Sequence, residues 1–126
     1  MTLARQRTGA TGERIACERI GAAGWTILER NARTRAGEID LVARDGPALV
    51  FVEVKTMRSG VRRGPERPAL AVGPRKQLRI RRLARAWLAE RGRSAGRYST
   101  IRFDVIGIRL DPADNVVEFE HIRSAF

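Results

Sequence analysis

The stretch Gly37-Glu38-Ile39-Asp40-Leu41-Val42-Ala43, followed after a turn by Ala48-Leu49-Val50-Phe51-Val52-Glu53-Val54-Lys55, decides how this chain folds. Asp45-Gly46-Pro47 lies between the two halves and is a hairpin signal, so residues 38–44 and 48–55 read as neighbouring antiparallel strands. The second strand is apolar almost to its end, the pattern of a central strand covered on both faces. Side chains alternate along a strand, so Glu53 and Lys55 point to one face. Asp40 joins them there in two registers. Pairing residue 43 with 48 sets Asp40 opposite Phe51 and diagonal to Glu53, and a shift of two sets it directly opposite Glu53. A slip of one residue would send it to the other face.

Outward from the hairpin the elements are simpler to read. A helix is expected from about residue 12 to 23, stopped at Gly24. On it Glu13 shares the inward face with Ala16, Cys17 and Ile20, where a carboxylate needs compensation. Residues 1–11 read as a flexible basic arm, 25–31 as a first strand and 32–36 as a basic turn carrying Arg33 and Arg35. From 56 to 74 the chain is rich in Gly, Pro and Arg, a connection of a length that usually serves function. A helix over 75–91 carries Ile80, Leu83, Ala84 and Trp87 on its inner stripe, with Lys76 one turn ahead of Ile80 and Arg81, Arg82 and Arg85 outside. Residues 100–110 and 116–122 read as two last strands. The expected fold is α/β, a mixed sheet of about five strands flanked by helices, in one domain spanning residues 1–126.

Composition narrows the setting. At 126 residues with 43% hydrophobic content, the chain can bury a core unaided. No apolar run is long enough for a bilayer, and the polar N-terminus lacks the apolar stretch of a secretory signal. The single cysteine, Cys17, excludes an internal disulfide and a Cys-based zinc cage, so a cytoplasmic protein is expected. The formal net charge of +11 favours a polyanionic partner, and nucleic acid ranks above membrane because no helix has a bulky apolar membrane face. Lys55 and Lys76 stand out among the 25 cations, all others being Arg. Where Arg fills nearly every position, a retained Lys suggests a need for a compact ammonium.

Glu53 and Lys55 alone could be a strand-end ion pair. With Asp40 on the adjoining strand and Glu13 on an inward helix face, they point to chemistry. Two carboxylates held close repel unless a cation intervenes, and oxygen donors without His or Cys select a hard ion such as Mg²⁺ or Mn²⁺. Such an ion polarises a phosphoryl oxygen and acidifies water. Lys55 is placed to orient that water or offset charge on the phosphate.

The paired segments around Asp40 and Glu53 resemble the YraN family, which is similar to the Holliday-junction resolvases within the PD-(D/E)xK nuclease superfamily. The resemblance covers roughly residues 12–126. It extends to Gly12-Glu13, Glu29-Arg30-Asn31, Lys76-Gln77, Arg102-Phe103-Asp104-Val105 and the end from His121 to Phe126. It implies a restriction-endonuclease-like core and metal-dependent cleavage of DNA, branched or junction structures included. It also implies Asp40, Glu53 and the Val54 carbonyl as metal ligands, Glu13 completing the site, Lys55 as the catalytic lysine, and Lys76 and Gln77 as auxiliary residues. Two positions depart from the superfamily pattern: Ile39 stands for the nominal proline, and Met57 for the usual Arg after Lys-Thr.

The nucleic-acid contacts are expected from Arg33, Arg35, Arg58, Arg62, Arg63 and Arg67, with the 58–67 loop as a clamp. The outer arginines of the second helix are expected to be a solvated face. Cys17, Trp25, Trp87 and His121 read as structural, and Asp104 as a partner for a nearby Arg. Resolution of a junction takes two cuts, which a homodimer would supply. The alternative function is a nucleic-acid-binding accessory protein that keeps the fold and cleaves nothing. A third is a structural protein docked on ribosomal RNA.

Overall fold

The computed structural model describes residues 2–60, 67, 69 and 72–126. Along the chain run α1 (Leu3–Ala22), β1 (Thr26–Thr34), β2 (Gly37–Asp45), β3 (Ala48–Arg58), α2 (Pro74–Arg91), a short 3₁₀ turn (Gly92–Ala95), β4 (Thr100–Leu110) and β5 (Val116–Ile122). The strands form one mixed sheet in the order β1-β2-β3-β4-β5. All neighbours are antiparallel except β3 and β4, which are parallel and linked by a crossover through α2. The architecture is α/β, a restriction-endonuclease-like core.

Strand β3 is the spine. Val50 and Val52 pack with Ile15, Ala16 and Ile20 of α1, whereas Leu49 and Phe51 pack with Leu83, Ala84 and Trp87 of α2. A strand buried on both faces has to be apolar at every position, which is why its sequence shows no alternation until Glu53. From Glu53 onward β3 is half-buried, lying between the start of α1 and the first turn of α2.

Three boundaries differ from the sequence reading. Helix α1 starts at Leu3, so the segment expected as an arm is helical. Thr2 caps it, accepting the Arg5 N–H at 3.2 Å. Strand β1 runs on to Thr34, into the expected turn. Strand β3 continues through Thr56, Met57 and Arg58, paired with Ile108, Arg109 and Leu110, so the connection to α2 starts later than expected.

Helix α1 lies very close to the sheet at Gly12. A Cβ there would sit 1.8 Å from Thr56 Oγ1. Glycine is therefore required for this contact, and it sets the depth at which the next residue, Glu13, meets the sheet.

On β4, opposite Val52, the fully buried Asp104 accepts bonds from Arg102 Nε (2.9 Å) and NH2 (3.0 Å) and from the Ser124 N–H (3.1 Å), and meets His121 Nε2 at 2.8 Å. Burial pushes its carboxyl up, but the bonds from His121, Arg102 and Ser124 outweigh that and hold it below the usual range. Asp104 is thus an Arg partner, as expected, and His121 is structural. Trp25 and Trp87 are core residues, and Cys17 packs at the edge of the core. Arg81 is not merely solvated: its guanidinium lies over the rings of Phe103 (4.8 Å) and Phe126 (5.4 Å), fastening the C-terminus.

Candidate active site

The β2–β3 ladder runs from Asp45↔Ala48 to Leu41↔Val52 and stops. Continuing that register sets Asp40 directly opposite Glu53, the second of the two expected arrangements. The ladder ends there because the Asp40 carboxylate replaces a backbone acceptor: its Oδ2 takes the Val54 N–H at 2.8 Å. One neighbour further out, Asn31 and Asp40 lie opposite each other between the pairs Arg30↔Leu41 and Ala32↔Ile39. Asn31, Asp40 and Glu53 thus form a row across three strands, and Glu13 reaches it from α1.

The electrostatics follow from crowding. Burial and the neighbouring charge of Glu53 push the Asp40 carboxyl up to about 8. Glu13 adds to this, and the Val54 N–H opposes it. Glu13 is also raised, by burial first and then by Glu38, while hydrogen bonds with Asp40 and Asn31 work against the rise. Charging Asp40 beside Glu53 at neutral pH is therefore unfavourable.

Two ammonium groups serve this row. Lys76 Nζ, from the first turn of α2, lies 2.8 Å from Glu53 Oε1. Lys55 lines the same cleft and, among the described residues, pairs with no carboxylate. The cleft encloses about 930 Å³ between the start of α1, the end of β3 and Lys76, and Glu13, Asp40, Glu53 and Val54 line it. Arg5, Gln6 and Thr8 of α1 form one wall, where the sequence predicts a flexible arm.

The other expected residues fall in different places. Gln77 does not line the cleft; it turns back to bond the Val72 carbonyl at 3.2 Å. Arg58 lines the cleft but is tied down, donating to Thr8 Oγ1 and the Asp111 carbonyl (each 3.0 Å) and pairing with Asp114 at 2.6 Å. Arg67 forms a two-pronged pair with Glu120 of β5. Arg33 is exposed, 3.8 Å from Glu38, and Arg35 is exposed at the β1–β2 turn. Arg62 and Arg63 lie outside the described residues. Asn31 and Glu38 belong to the site and were not picked out from the sequence as members of it. Their membership depends on register and on the backbone bend at Asn31, which local spacing does not display.

The donor set suits a hard divalent cation: clustered carboxylates beside the Val54 peptide, with no His or Cys among them. Among the described residues the oxygens are not already drawn together as a formed group of three or more ligands. Burial raises both Asp40 and Glu13, with like charge from Glu53 on the first and from Glu38 on the second, a crowding that a cation bound there would relieve.

The fold and this row define the class: an α/β chain with a restriction-endonuclease-like core and carboxylates gathered where its strands β2 and β3 part. By sequence the chain belongs to the family described as uncharacterised protein family UPF0102, the YraN family, whose model matches residues 12–108. It is 49% identical over 123 residues to a UPF0102 protein of Frankia casuarinae, covering 98% of each chain. It is 48% identical over 120 residues to one of Streptomyces griseus, covering 95% of this chain and 96% of that one. With one from Moorella thermoacetica it shares 44% identity over 126 residues, the whole of both chains.

Proposed function

We propose that this protein is a divalent-metal-dependent endonuclease acting on DNA in the cytoplasm, with Asp40, Glu53 and Glu13 as its acidic centre. The observation that carries this reading is the position of Asp40 opposite Glu53 where the β2–β3 ladder opens, with the Asp40 carboxyl pushed up to about 8 by burial and by Glu53. Asp40, Glu53, Glu13 and the Val54 carbonyl would hold Mg²⁺ or Mn²⁺. When bound, the cation supplies charge neutralisation at a phosphoryl oxygen and a more acidic water. Lys55, free of carboxylate partners among the described residues, orients the attacking water or offsets the charge that develops on the phosphate. Lys76 balances Glu53 and ties α2 to the site. The net charge of +11 draws the polyanion to an acidic floor that would otherwise repel it.

The test is incubation with Mg²⁺ or Mn²⁺ and labelled linear duplex, single-stranded, flap and four-way-junction DNA. Cleavage by the wild type, lost in Asp40→Asn and in Glu53→Gln while DNA binding persists, is the expected result. Preference for the junction would extend the proposal to paired cuts by a homodimer. Binding without cleavage of any of these DNAs would overturn the enzymatic reading.

One contact favours a second reading. Lys76 already neutralises Glu53 at 2.8 Å, as it would in a nucleic-acid-binding accessory protein that needs no metal. On that reading Lys76→Ala weakens folding and has no bearing on cation affinity. On the nuclease reading it leaves Glu53 freer to bind the cation.

A further inference from the structure

Within the interior of β1, Asn31 has φ +49°, a left-handed conformation in the middle of a strand. Asn accepts this region more readily than most residues, though at some cost. The bend coincides with a change of face. In β2, Ile39 belongs to the α2 side and Leu41 to the α1 side, although strict alternation would put both on one side. Asp40 lies between them and Asn31 opposite it. One end of the Asn31 side-chain amide lies 2.7 Å from Glu13 Oε2 and 3.3 Å from Glu38 Oε1; both are acceptors, so the amide is assigned with its NH₂ group toward them and its oxygen turned away. A single NH₂ group therefore ties the carboxylate of α1 to a carboxylate of β2, on either side of Asp40.

We propose that Asn31 is a positioning residue, an amide clamp that holds Glu13 against the acidic row with Glu38 as its second anchor. The clamp rests on the reading of that row as a metal site for what it accomplishes, though not for its existence. A neutral amide suits this place. It donates to two carboxylates without adding positive charge that would compete with a cation, as an Arg or Lys would. It also explains why Glu13, the only site carboxylate carried by α1, meets the sheet in a defined direction. Gly12 sets how closely the helix approaches, and Asn31 sets where the side chain points.

Asn31→Gly separates backbone from side chain. Glycine adopts φ +49° without strain, so the fold is kept while the amide is lost. The first measurement is the side-chain NH₂ resonances of Asn31 in ¹⁵N-labelled protein, compared among wild type, Glu13→Gln and Glu38→Gln. The second is Mn²⁺ titration of wild type and Asn31→Gly. The clamp predicts displaced NH₂ resonances in both Gln variants and Mn²⁺ binding roughly 10–100-fold weaker in Asn31→Gly, the usual scale for losing a residue that orients a ligand. Unmoved resonances overturn the clamp, and so does Asn31→Gly binding Mn²⁺ as wild type does, which would leave Asn31 a backbone role only. If wild type binds no Mn²⁺, the metal reading fails and the resonances alone decide the clamp.

Discussion

Replacing Asp40 by Asn should make the metal-free protein more stable, an unusual outcome for a half-buried, hydrogen-bonded position. In the unfolded chain Asp40 ionises near 3.8, and in the fold its carboxyl is pushed up to about 8 by burial and Glu53. A raised carboxyl favours the folded state when protonated. That advantage is complete below pH 3.8 and is lost as pH rises toward 8, with the folded state taking up a proton at neutral pH. Each unit of difference is worth about 1.4 kcal/mol, so the ceiling at pH 7 is roughly 4 kcal/mol. Partial solvent access and adjustment of Glu53 and Lys76 reduce this to ~1–3 kcal/mol. Asn removes the charge, while its carbonyl oxygen can still accept the Val54 N–H. Thermal unfolding with EDTA between pH 5 and 8 should show wild-type stability falling with pH and a flatter profile for Asp40→Asn, with a midpoint several degrees higher at pH 8. Adding Mn²⁺ should raise the wild-type midpoint and leave the variant unmoved. A variant less stable than wild type at pH 8, with an unchanged pH slope, would refute the crowding argument.

Three further outcomes follow from contacts elsewhere. Gly12→Ala should destabilise by about 1–2 kcal/mol in urea unfolding, because the clash with Thr56 Oγ1 outweighs the gain of roughly 1 kcal/mol in helix propensity. Adding Thr56→Ala should recover part of that loss. Asp104→Asn should cost about 3–5 kcal/mol by leaving Arg102 and His121 poorly matched in a buried site. Because this carboxyl is held below its usual value, its contribution is present above pH 3.8 and lost as pH falls through the lower folded value, so the variant should show less acid sensitivity in that window. Arg58→Ala should loosen the wall of the cleft, read as faster hydrogen exchange in α1 around Thr8, because Arg58 joins Thr8 to Asp111 and Asp114.

Much of this fold is legible along the chain. The limits of β4 and β5 agree with the sequence reading because Asp111-Pro112-Ala113-Asp114-Asn115 forms an unmistakable turn, stapled by Asp111 Oδ1 accepting from the Ala113 and Asn115 N–H groups. Strand β3 announces its burial by its composition. Asp40, Glu53 and Lys55 are found by the period of two, but the choice between two registers is set by the tight Gly46-Pro47 loop that pairs Asp45 with Ala48, which the period does not contain. The start of α1 was hidden for another reason. Residues 3–11 face the cleft more than the core, so they carry no apolar stripe, and their helix is secured by the Thr2 cap and the Arg58–Thr8 bond. The Arg-rich connection reads as a clamp because it follows directly on the strand that carries Glu53 and Lys55. Within it Arg58 and Arg67 pair with Asp114 and Glu120 at distant positions in sequence, contacts that a local count of cations does not display.

The most direct test of the acidic row as a metal site is calorimetric titration of Mg²⁺ and Mn²⁺ into wild type and into Asp40→Asn/Glu53→Gln, each alone and with a short DNA duplex. Saturable binding in the wild type, strengthened by DNA and absent from the double variant, is the predicted result. Equal heats from the two proteins, with and without DNA, would contradict it.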